Sequence, residues 1–313
     1  MAVYLVTGGC GFIGSNIVEH LLGLGETVRV LDDLSTGKTH NVTGLPGGDR
    51  VDIRQASLLD ADKVNAACAG VDYVLHQAAL PSVQRSVEDP HSTNRVNVEG
   101  TVNLLNACRD AGVKRVVYAA SSSAYGNQPQ PVKTEKLLPM PLSPYAVSKL
   151  TCEYYLKSFT ECYGLETVSL RYFNVFGPRQ DPNSEYSAVI PLFVTKVLKG
   201  ESPIIYGDGT QSRDFTYVEN NVRANILAAT APGAGGRVMN VACGRSYTLL
   251  DLLTEINQVL GTDIQPVFAP ARAGDVKHSL ADISKAKELI GYDVTVDFHE
   301  GLKRTVEWYK ANA

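Results

Sequence analysis

The most constraining feature of this sequence is a glycine-rich segment near its start, residues 8–14, which reads GGCGFIG. An apolar, β-branched run at residues 3–7 precedes it, and a helical pattern that includes Ile17 and Leu21 follows it as far as Gly25. Glycines let the backbone turn sharply between a strand and a helix and approach a pyrophosphate, whose charge the helix N-terminus favours. The segment therefore predicts a dinucleotide-binding unit, with a plain strand-to-helix turn as the simpler alternative.

Short apolar runs and helical patterns alternate through the first half of the chain. Strands are predicted at residues 3–7, 27–31, 51–55, 71–76, 115–121 and 167–172. Strands that alternate with helices form βαβ units, whose parallel sheet is covered by helices on both faces. We therefore expect an α/β fold with a doubly wound parallel sheet of the Rossmann type. Residues 1–175, to which later segments return, are expected to bind the dinucleotide, and residues 176–313 form a smaller, mixed α/β region, mainly for substrate.

Charge and composition exclude several classes of function. The 313 residues carry a net charge of −4, which does not favour general binding to nucleic acid or to an anionic membrane surface. No apolar run approaches the roughly 18 residues that span a bilayer, and the first residues show no signal-peptide pattern. The six cysteines are scattered without a CxxC pair, which is typical of reduced thiols and not of a zinc site. A cytoplasmic protein without a metal site is expected.

One carboxylate fits the nucleotide-binding pattern. Asp32 follows the second predicted strand, 18 residues after Gly14, where a carboxylate can accept a hydrogen bond from a ribose 2′-hydroxyl. The same charge would repel a 2′-phosphate, and no arginine stands beside it. This predicts NAD rather than NADP as the cofactor; the alternative is that Asp32 is only a turn residue.

Further motifs give the chain a resemblance to a known family. The glycine spacing is GxxGxxG, and Tyr145 and Lys149 form a YxxxK pair. Residues 76–79 (HQAA), Asn97 and residues 171–177 (RYFNVFG) extend the match over essentially the whole chain. The sequence resembles the extended short-chain dehydrogenase/reductase superfamily, and within it the UDP-sugar 4-epimerases that act on UDP-N-acetylhexosamines.

The resemblance implies a set of contacts to NAD. They are Gly8, Gly11, Phe12, Ile13 and Gly14 at the turn, Asp32, Asp33, Ser35, Thr36, Gly37 and Lys38 at the adenosine and phosphates, Ser57 and Leu58 beside adenine, Ala78, Ala79, Leu80 and Asn97 toward the nicotinamide, and also Tyr145, Lys149, Tyr172 and Val175. One residue departs from the family, which usually has an aspartate in place of Ser57. We therefore expect a weaker or different adenine contact there.

The resemblance also implies a catalytic group. Tyr145 and Lys149 lie four residues apart, so a helix presents both side chains on one side. A phenol has a pKa of about 10, and we expect the Lys149 ammonium to favour phenolate and make Tyr145 a base; a buried tyrosine beside a surface lysine is the alternative. The family's catalytic hydroxyl position corresponds to Ser121, and Ser123 is expected on the same side of an extended chain, near the sugar. Which of Ser121, Ser122 and Ser123 carries the proton is left open.

Carboxylates are absent where some related enzymes need them. The sugar-nucleotide dehydratases and the UDP-glucuronate decarboxylases of the family carry acids directly after the catalytic hydroxyl, whereas this chain has Ser122 and Ser123. General acid chemistry at a neighbouring carbon therefore lacks its proton donor. Oxidation and re-reduction at one carbon need no such donor, so epimerisation is expected. Outside enzymes, the alternative is an NAD-binding sensor that performs no chemistry.

A further set of residues is assigned by the resemblance to the UDP-sugar. They are Ser121, Ser123, Asn174, Ala188, Val189, Ile190, Tyr206, Gln211, Arg213, Arg272, Asp275 and Ser279. Arginine suits a diphosphate because its guanidinium binds two oxygens at once, although a loop arginine is often only solvated. UDP-glucose epimerases of the family carry a tyrosine where this chain has Ser279, and the smaller serine leaves room for an N-acetyl group at C2.

The expected reaction is interconversion of UDP-GlcNAc and UDP-GalNAc through a transient 4-keto sugar, with UDP-glucose and UDP-galactose left open as further substrates. A UDP-glucuronate 4-epimerase is the alternative, and it would need a carboxylate-binding group near C5 that the sequence does not identify. The resemblance also implies a homodimer formed through the helix after Tyr145, with no nucleic-acid partner and no membrane.

Overall fold

The computed structural model describes residues 1–182, 188–271 and 277–312. Its strands are β1 (Val3–Thr7), β2 (Thr27–Asp32), β3 (Asp52–Gln55), β4 (Tyr73–His76), β5 (Arg115–Ser121), β6 (Val132–Lys133), β7 (Glu166–Tyr172), β8 (Val175–Phe176), β9 (Ile204–Tyr206), β10 (Ser212–Arg213), β11 (Thr216–Tyr217), β12 (Arg237–Val241), β13 (Tyr247–Thr248), β14 (Val267–Ala269) and β15 (Leu280–Ala281). Its helices are α1 (Phe12–Gly23), α2 (His40–Thr43), α3 (Ala61–Cys68), α4 (Val83–Glu88), α5 (Pro90–Asn94), α6 (Gly100–Asp110), α7 (Pro144–Tyr163), α8 (Val189–Leu198), α9 (Val218–Thr230), α10 (Leu249–Leu260), α11 (Ser284–Ile290) and α12 (Phe298–Ala311). No helix in these three ranges is long and apolar enough to cross a membrane.

Seven parallel strands form the central sheet, in the order β12-β7-β5-β4-β1-β2-β3. The chain begins in the middle of this sheet and builds outward to both edges, so the strand order reverses between β1 and β4. In doubly wound sheets, ligands bind beyond the carboxyl ends of the strands at such a switch point. The predicted doubly wound parallel sheet is confirmed, and residues 8–14 leave β1 at its switch point.

Helices cover both faces of the sheet. Tyr4 and Val6 of β1 pack in one apolar cluster with Ile17 of α1, whereas Leu5 packs in a second cluster with Leu104 of α6. Successive side chains of a strand point to opposite faces, so a continuous apolar run such as that of β1 serves both clusters. This explains why the predicted strands lack the alternation of polar and apolar residues that a sheet with one solvated face would show.

The seventh strand, β12, is missing from the sequence-based prediction. It pairs in parallel with β7, with Val241 opposite Tyr172. The preceding helix, α9, contributes Ala228 to the same apolar cluster as Ile17. A segment beyond residue 175 thus completes the central sheet, and the proposed domain boundary at that residue stays a prediction.

Among the described residues, four two-stranded sheets lie outside the central sheet, and two of their strands position the far wall of the site. β15 pairs with β6, with Ala281 opposite Lys133. Just before β15, the Ser279 amide donates a hydrogen bond to Ser212 O at 3.1 Å. Because Ser212 precedes Arg213 in β10, these pairings bring Arg213 and Ser279 close together, on the side of the site opposite the glycine turn.

Candidate active site

A cleft of about 1770 Å³ opens at the carboxyl ends of the central strands. Its lining includes Gly8 after β1, Asp32 at the end of β2, Ser121 at the end of β5 and Phe173 after β7. Pockets for one drug-sized ligand measure about 300–1,000 Å³. The cleft is therefore large enough for two ligands, such as a dinucleotide and a second nucleotide.

The glycine turn at one end of the cleft has a geometry that side chains would prevent. Gly8 has a φ of +66°, and a Cβ there would lie 2.8 Å from the backbone of Ala78. A Cβ on Gly14 would lie 2.1 Å from Gly8 O. Gly11 caps α1 in an extended conformation with no side chain over the first amides of the helix. The helix N-terminus therefore remains available for a pyrophosphate, so the turn fits a dinucleotide.

The carboxylate of Asp32 lies against the glycine turn and lines the cleft. Its Oδ2 accepts a hydrogen bond from the Cys10 amide and its Oδ1 accepts one from the Leu34 amide, both at 2.9 Å. Burial raises the pKa of Asp32, and these two hydrogen bonds oppose the rise. Each carboxylate oxygen can accept a second hydrogen bond, so Asp32 can shape the turn and bind a ribose hydroxyl at the same time.

The substitution Asp32→Ala is expected to weaken NAD binding by about 10- to 150-fold, the range for a hydrogen bond to a charged group worth about 1.5–3 kcal/mol. The preference for NAD over NADP should narrow, because the charge that repels a 2′-phosphate is removed. Binding of each dinucleotide is measured after unfolding and refolding the protein in its presence. Asp32→Asn is the matched control, because it keeps the shape of the side chain and removes only its charge. If the preference for NAD over NADP is unchanged in both variants, Asp32 is only a turn residue.

Most of the residues predicted to contact NAD line this cleft. They are Gly8, Gly11, Phe12, Ile13, Gly14, Asp32, Asp33, Ser35, Thr36, Gly37, Lys38, Ser57, Leu58, Ala78, Ala79, Leu80, Tyr145, Lys149, Tyr172 and Val175. Asn97 differs, because it is buried and its amide is used within the protein. It accepts from the Leu80 amide at 2.8 Å and donates to Ser148 Oγ at 3.0 Å. Asn97 therefore fixes the loop that carries Leu80 instead of lining the cleft itself.

Tyr145 and Lys149 project from α7, whose first turn is fixed by its cap. Ser143 Oγ accepts from the Ala146 amide at 3.1 Å, and Pro144 occupies the first helical position. Both side chains line the cleft together with Ser121. The structure thus brings the three residues predicted to be catalytic to one place, on α7 and at the end of β5.

A buried ion pair attaches α7 to the sheet. Arg171 on β7 donates to Glu153 on α7 through Nε at 2.9 Å and through Nη2 at 2.8 Å. The two side chains are 5% and 4% exposed. Because Glu153 lies one turn beyond Lys149, this bidentate contact fixes the helix that carries Tyr145 and Lys149.

The hydroxyl of Ser121 is set up as a proton donor. Ser123 donates to Ser121 Oγ twice, from its amide at 3.2 Å and from its own hydroxyl at 2.8 Å. A hydroxyl has two acceptor sites and one proton, so the proton of Ser121 remains for Tyr145 or for a substrate. The expected position of Ser123 on an extended chain is wrong: Ser122–Tyr125 forms a 3₁₀ turn, and this turn brings the two hydroxyls together.

The pKa shifts of Tyr145 and Lys149 differ from the expectation. Burial raises the pKa of Tyr145, and a hydrogen bond with Ser121 opposes the rise. Burial lowers the pKa of Lys149 to about 8. Its ammonium donates to Ala119 O at 2.8 Å, and Lys149 is not among the groups that lower the Tyr145 pKa. In this arrangement Ser121 is the group that favours the phenolate.

The residues predicted for the UDP-sugar fall into three groups. Ser121, Ser123, Asn174, Ala188, Arg213 and Ser279 line the cleft. Val189, Ile190, Tyr206 and Gln211 lie elsewhere in the described part of the chain: Ile190 is in the core, and Gln211 Nε2 donates to Tyr206 O at 2.7 Å. Arg272 and Asp275 lie outside the described residues.

Some residues of the cleft were not found from the sequence. They come from the segment after β8 and from the C-terminal helix α12: Arg179, Gln180, Asp181, Trp308 and Tyr309. Arg179 contacts Ser15 and Glu19, which are more than 150 positions away in the chain. No local pattern in the sequence signals such a contact.

Comparison with known proteins agrees with this geometry. Residues 4–242 match the model of a family described as the NAD dependent epimerase/dehydratase family. A curated protein of Methanocaldococcus jannaschii, described as a putative UDP-glucose 4-epimerase, is 38% identical over 309 residues, which cover 98% of each chain.

Two solved structures are similar over their whole length. A UDP-N-acetylglucosamine 4-epimerase from Methanobrevibacter ruminantium M1, in complex with UDP-N-acetylmuramic acid, is 45% identical with a TM-score of 0.95, covering 100% of this chain and 99% of that one. The UDP-glucose 4-epimerase of Thermus thermophilus, in complex with NAD, is 38% identical with a TM-score of 0.88, covering 99% and 100%. This chain therefore belongs to the NAD dependent epimerase/dehydratase family, within the extended short-chain dehydrogenases/reductases, and its cofactor is NAD.

Proposed function

We propose that this chain is a UDP-sugar 4-epimerase that interconverts UDP-GlcNAc and UDP-GalNAc. The observation that carries the proposal is the meeting of Ser121, Tyr145 and Lys149 beside a dinucleotide turn, in a cleft whose opposite rim holds Arg213 and Ser279. This arrangement can move a proton and hold a nucleotide, and serines, not carboxylates, occupy the two positions directly after Ser121. The reaction class it supports is therefore oxidation and re-reduction at one carbon. UDP-glucose and UDP-galactose remain candidate substrates of the same site.

The protein's own residues handle the proton. Bound NAD supplies the acceptor for the hydride on C4 of the sugar and returns the hydride to that carbon. Tyr145, as phenolate, accepts the proton of the C4 hydroxyl and returns it when the 4-keto sugar is reduced; the hydrogen bond from Ser121 stabilises the phenolate before it takes the proton. General-base catalysis of this kind contributes about 10²- to 10⁴-fold. Lys149, next to Tyr145 on α7, is assigned to the nicotinamide ribose. The sugar turns in the cleft between the two hydride steps, which exchanges the faces of C4.

The small side chain of Ser279 supports an N-acetylated substrate. Ser279 lines the cleft, and the hydrogen bond from its amide to Ser212 O holds it on the rim beside Arg213. If Arg213 binds the diphosphate, the neighbouring side chain faces the attached sugar. A serine there leaves space that a tyrosine ring would fill. The similarity to a UDP-N-acetylglucosamine 4-epimerase at 45% identity supports the same substrate class.

Ser279→Tyr is expected to lower kcat/KM for UDP-GlcNAc by about 5- to 150-fold, because overfilling a packed site costs about 1–3 kcal/mol. UDP-glucose should be spared, since it carries only a hydroxyl at C2. Ser279→Ala is the matched control, and its kcat/KM for UDP-GlcNAc and for UDP-glucose should stay within about threefold of the parent values. An equal loss on the two sugars, or no loss on either, would remove Ser279 as the determinant of the C2 substituent.

UDP-glucuronate is the alternative substrate, and UDP-glucuronate 4-epimerases are among the similar proteins. Such an enzyme needs a group that binds the C5 carboxylate, and a cation is the strongest such group. The buried lysines of the cleft are engaged elsewhere: Lys133 donates to Gln128 O at 2.7 Å, and Lys149 donates to Ala119 O at 2.8 Å. Neither of these two buried ammonium groups is therefore directed at the C5 carboxylate in this structure. Incubation with UDP-glucuronate and with the four UDP-hexoses, followed by separation of the products, tests the choice.

A homodimer through α7 is the assembly that we propose. Val147, Tyr154 and Tyr155 are 49%, 60% and 41% exposed. Their spacing of seven and eight residues places them along one stripe of the helix, on the face that does not pack on the sheet. Sedimentation of the purified protein should give the mass of a dimer, and Tyr154→Lys should shift it toward the monomer. A monomeric parent protein would contradict this assembly.

A further inference from the structure

The segment that follows β8, residues 177–182, lies beside the start of α1 and is called the strap below. Asn16 Nδ2 on α1 donates to Pro178 O at 3.2 Å, and the Tyr309 hydroxyl on α12 donates to Gln180 O. Most of the strap lines the cleft. Two helices that are far apart in sequence therefore hold it next to the turn that receives the dinucleotide.

The side chain of Arg179 crosses from the strap to the first two turns of α1. Its Nε donates to Ser15 Oγ at 3.0 Å, and its Nη2 donates to Glu19 Oε2 at 2.5 Å. The Arg179 backbone has a φ of +68°, a region that residues other than glycine rarely adopt. Such a conformation persists where its surroundings hold it and is frequent at functional sites. The strap therefore holds this guanidinium against α1 in a conformation that a free loop would avoid.

A chain of hydrogen bonds connects the guanidinium to the glycine turn. Ser15 Oγ, which accepts from Arg179, donates in turn to Phe12 O at 3.1 Å. Phe12 is the first residue of α1 and lines the cleft. Nη1 of Arg179 makes no hydrogen bond to any residue that the structure describes. The Arg179 cation thus lies within one helical turn of the amides that attract a pyrophosphate.

Arg179 is the cation of the cleft that is tied to α1. The other lysines and arginines among the described lining residues are Lys38, Arg85, Lys133, Lys149 and Arg213. Within the described ranges, none of the first four has a side chain in a hydrogen bond or ion pair with α1, and Arg213 lies on the opposite rim. Glu19 balances part of the charge of Arg179, but its side chain is 48% exposed, and water weakens such a pair. Arg179 is therefore the cation best placed for the doubly charged pyrophosphate.

We propose that Arg179 binds the pyrophosphate of NAD from the strap and slows release of the cofactor. A guanidinium suits this task because it stays charged and offers several donors in one plane. An enzyme that oxidises and then reduces the same carbon gains from slow release, because the cofactor must stay through both steps. The proposal rests on NAD as the cofactor and not on the identity of the sugar.

The test measures release of NAD directly. The protein is loaded with radiolabelled NAD and mixed with excess unlabelled NAD, and the bound label is followed on filters. Arg179→Gln should release NAD at least about 10-fold faster, since a charge-assisted contact is lost. Glu19→Gln is the matched control: it breaks the same ion pair but keeps the cation, so its release rate should stay within about threefold of the parent.

Two results would overturn the proposal. One is an unchanged release rate in Arg179→Gln; the other is an equal increase in Arg179→Gln and Glu19→Gln, which would show that the tie between strap and α1 matters and the cation does not. If Arg179→Gln does not fold, Arg179→Lys replaces it. That variant should release NAD faster than the parent, because the planar fork is lost while the charge stays. An unchanged rate would then overturn the proposal. The experiment contains no sugar, so its result is independent of the proposed substrate.

Discussion

Tyr145→Phe is expected to lower kcat for epimerisation by at least about 10²-fold, the effect of losing a general base. Tyr145 lines the cleft together with Ser121, which opposes the rise in the Tyr145 pKa, and phenylalanine keeps the ring while removing the proton acceptor. NAD should remain bound, because the glycine turn and Asp32 are untouched. Turnover is measured by separation of the UDP-sugars, and NAD content is measured after denaturing the purified variant.

Tyr163→Phe provides the control for this substitution. Tyr163 is the last residue of the same helix and is 55% exposed, so loss of its hydroxyl should leave kcat within about twofold of the parent. The kcat of Ser121→Ala should lie between those of Tyr145→Phe and Tyr163→Phe, because this substitution removes a donor to the phenolate and leaves the base in place. Near-normal turnover in Tyr145→Phe would contradict the assignment of the base.

Arg171→Met is expected to lower the free energy of unfolding by about 3–5 kcal/mol, because it leaves the Glu153 carboxylate buried without its partner. Glu153 is 4% exposed, and both of its oxygens accept from Arg171. The same contact fixes α7 on the sheet, so turnover should fall at temperatures where the protein stays folded. Urea unfolding followed by circular dichroism gives the change in stability.

A double variant separates the unpaired charge from simple loss of packing. Arg171→Met combined with Glu153→Leu removes both charges and keeps an apolar contact between β7 and α7. Replacing a whole buried ion pair in this way is often neutral or stabilising, so the double variant should recover most of the lost stability. Equal destabilisation in the single and the double variant would mean that the pair itself, and not the stranded carboxylate, accounts for the loss.

Local patterns in the sequence were sufficient for most of the central sheet. β1 and β5 have the ends predicted for them, and the other four predicted strands differ by one or two residues. Strands buried on both faces need long β-branched runs, which are easy to see. β12 was missed because it follows a stretch rich in glycine and proline. Its place in the sheet is set by pairing with β7, a contact between distant residues.

The lining of the cleft was predictable where one short motif carries several of its residues. Gly8–Gly14 and the pair Tyr145 and Lys149 are such motifs, since a single turn or helix places their members together. The direction of the Lys149 ammonium toward Ala119 O was not predictable, because that carbonyl is 30 positions away. Arg179 was not predicted for the same reason, because its partners Ser15 and Glu19 lie on α1, far away in the sequence.

The most direct test of the proposed function uses UDP-GlcNAc that carries deuterium at C4. If the hydride leaves C4 and returns to the same carbon, the purified protein will produce UDP-GalNAc that retains the deuterium, in ordinary water and without added cofactor. Mass spectrometry and proton NMR of the separated sugars report the label and the configuration. Loss of the deuterium to solvent, or conversion of UDP-glucuronate with UDP-GlcNAc left unchanged, would contradict the proposed function.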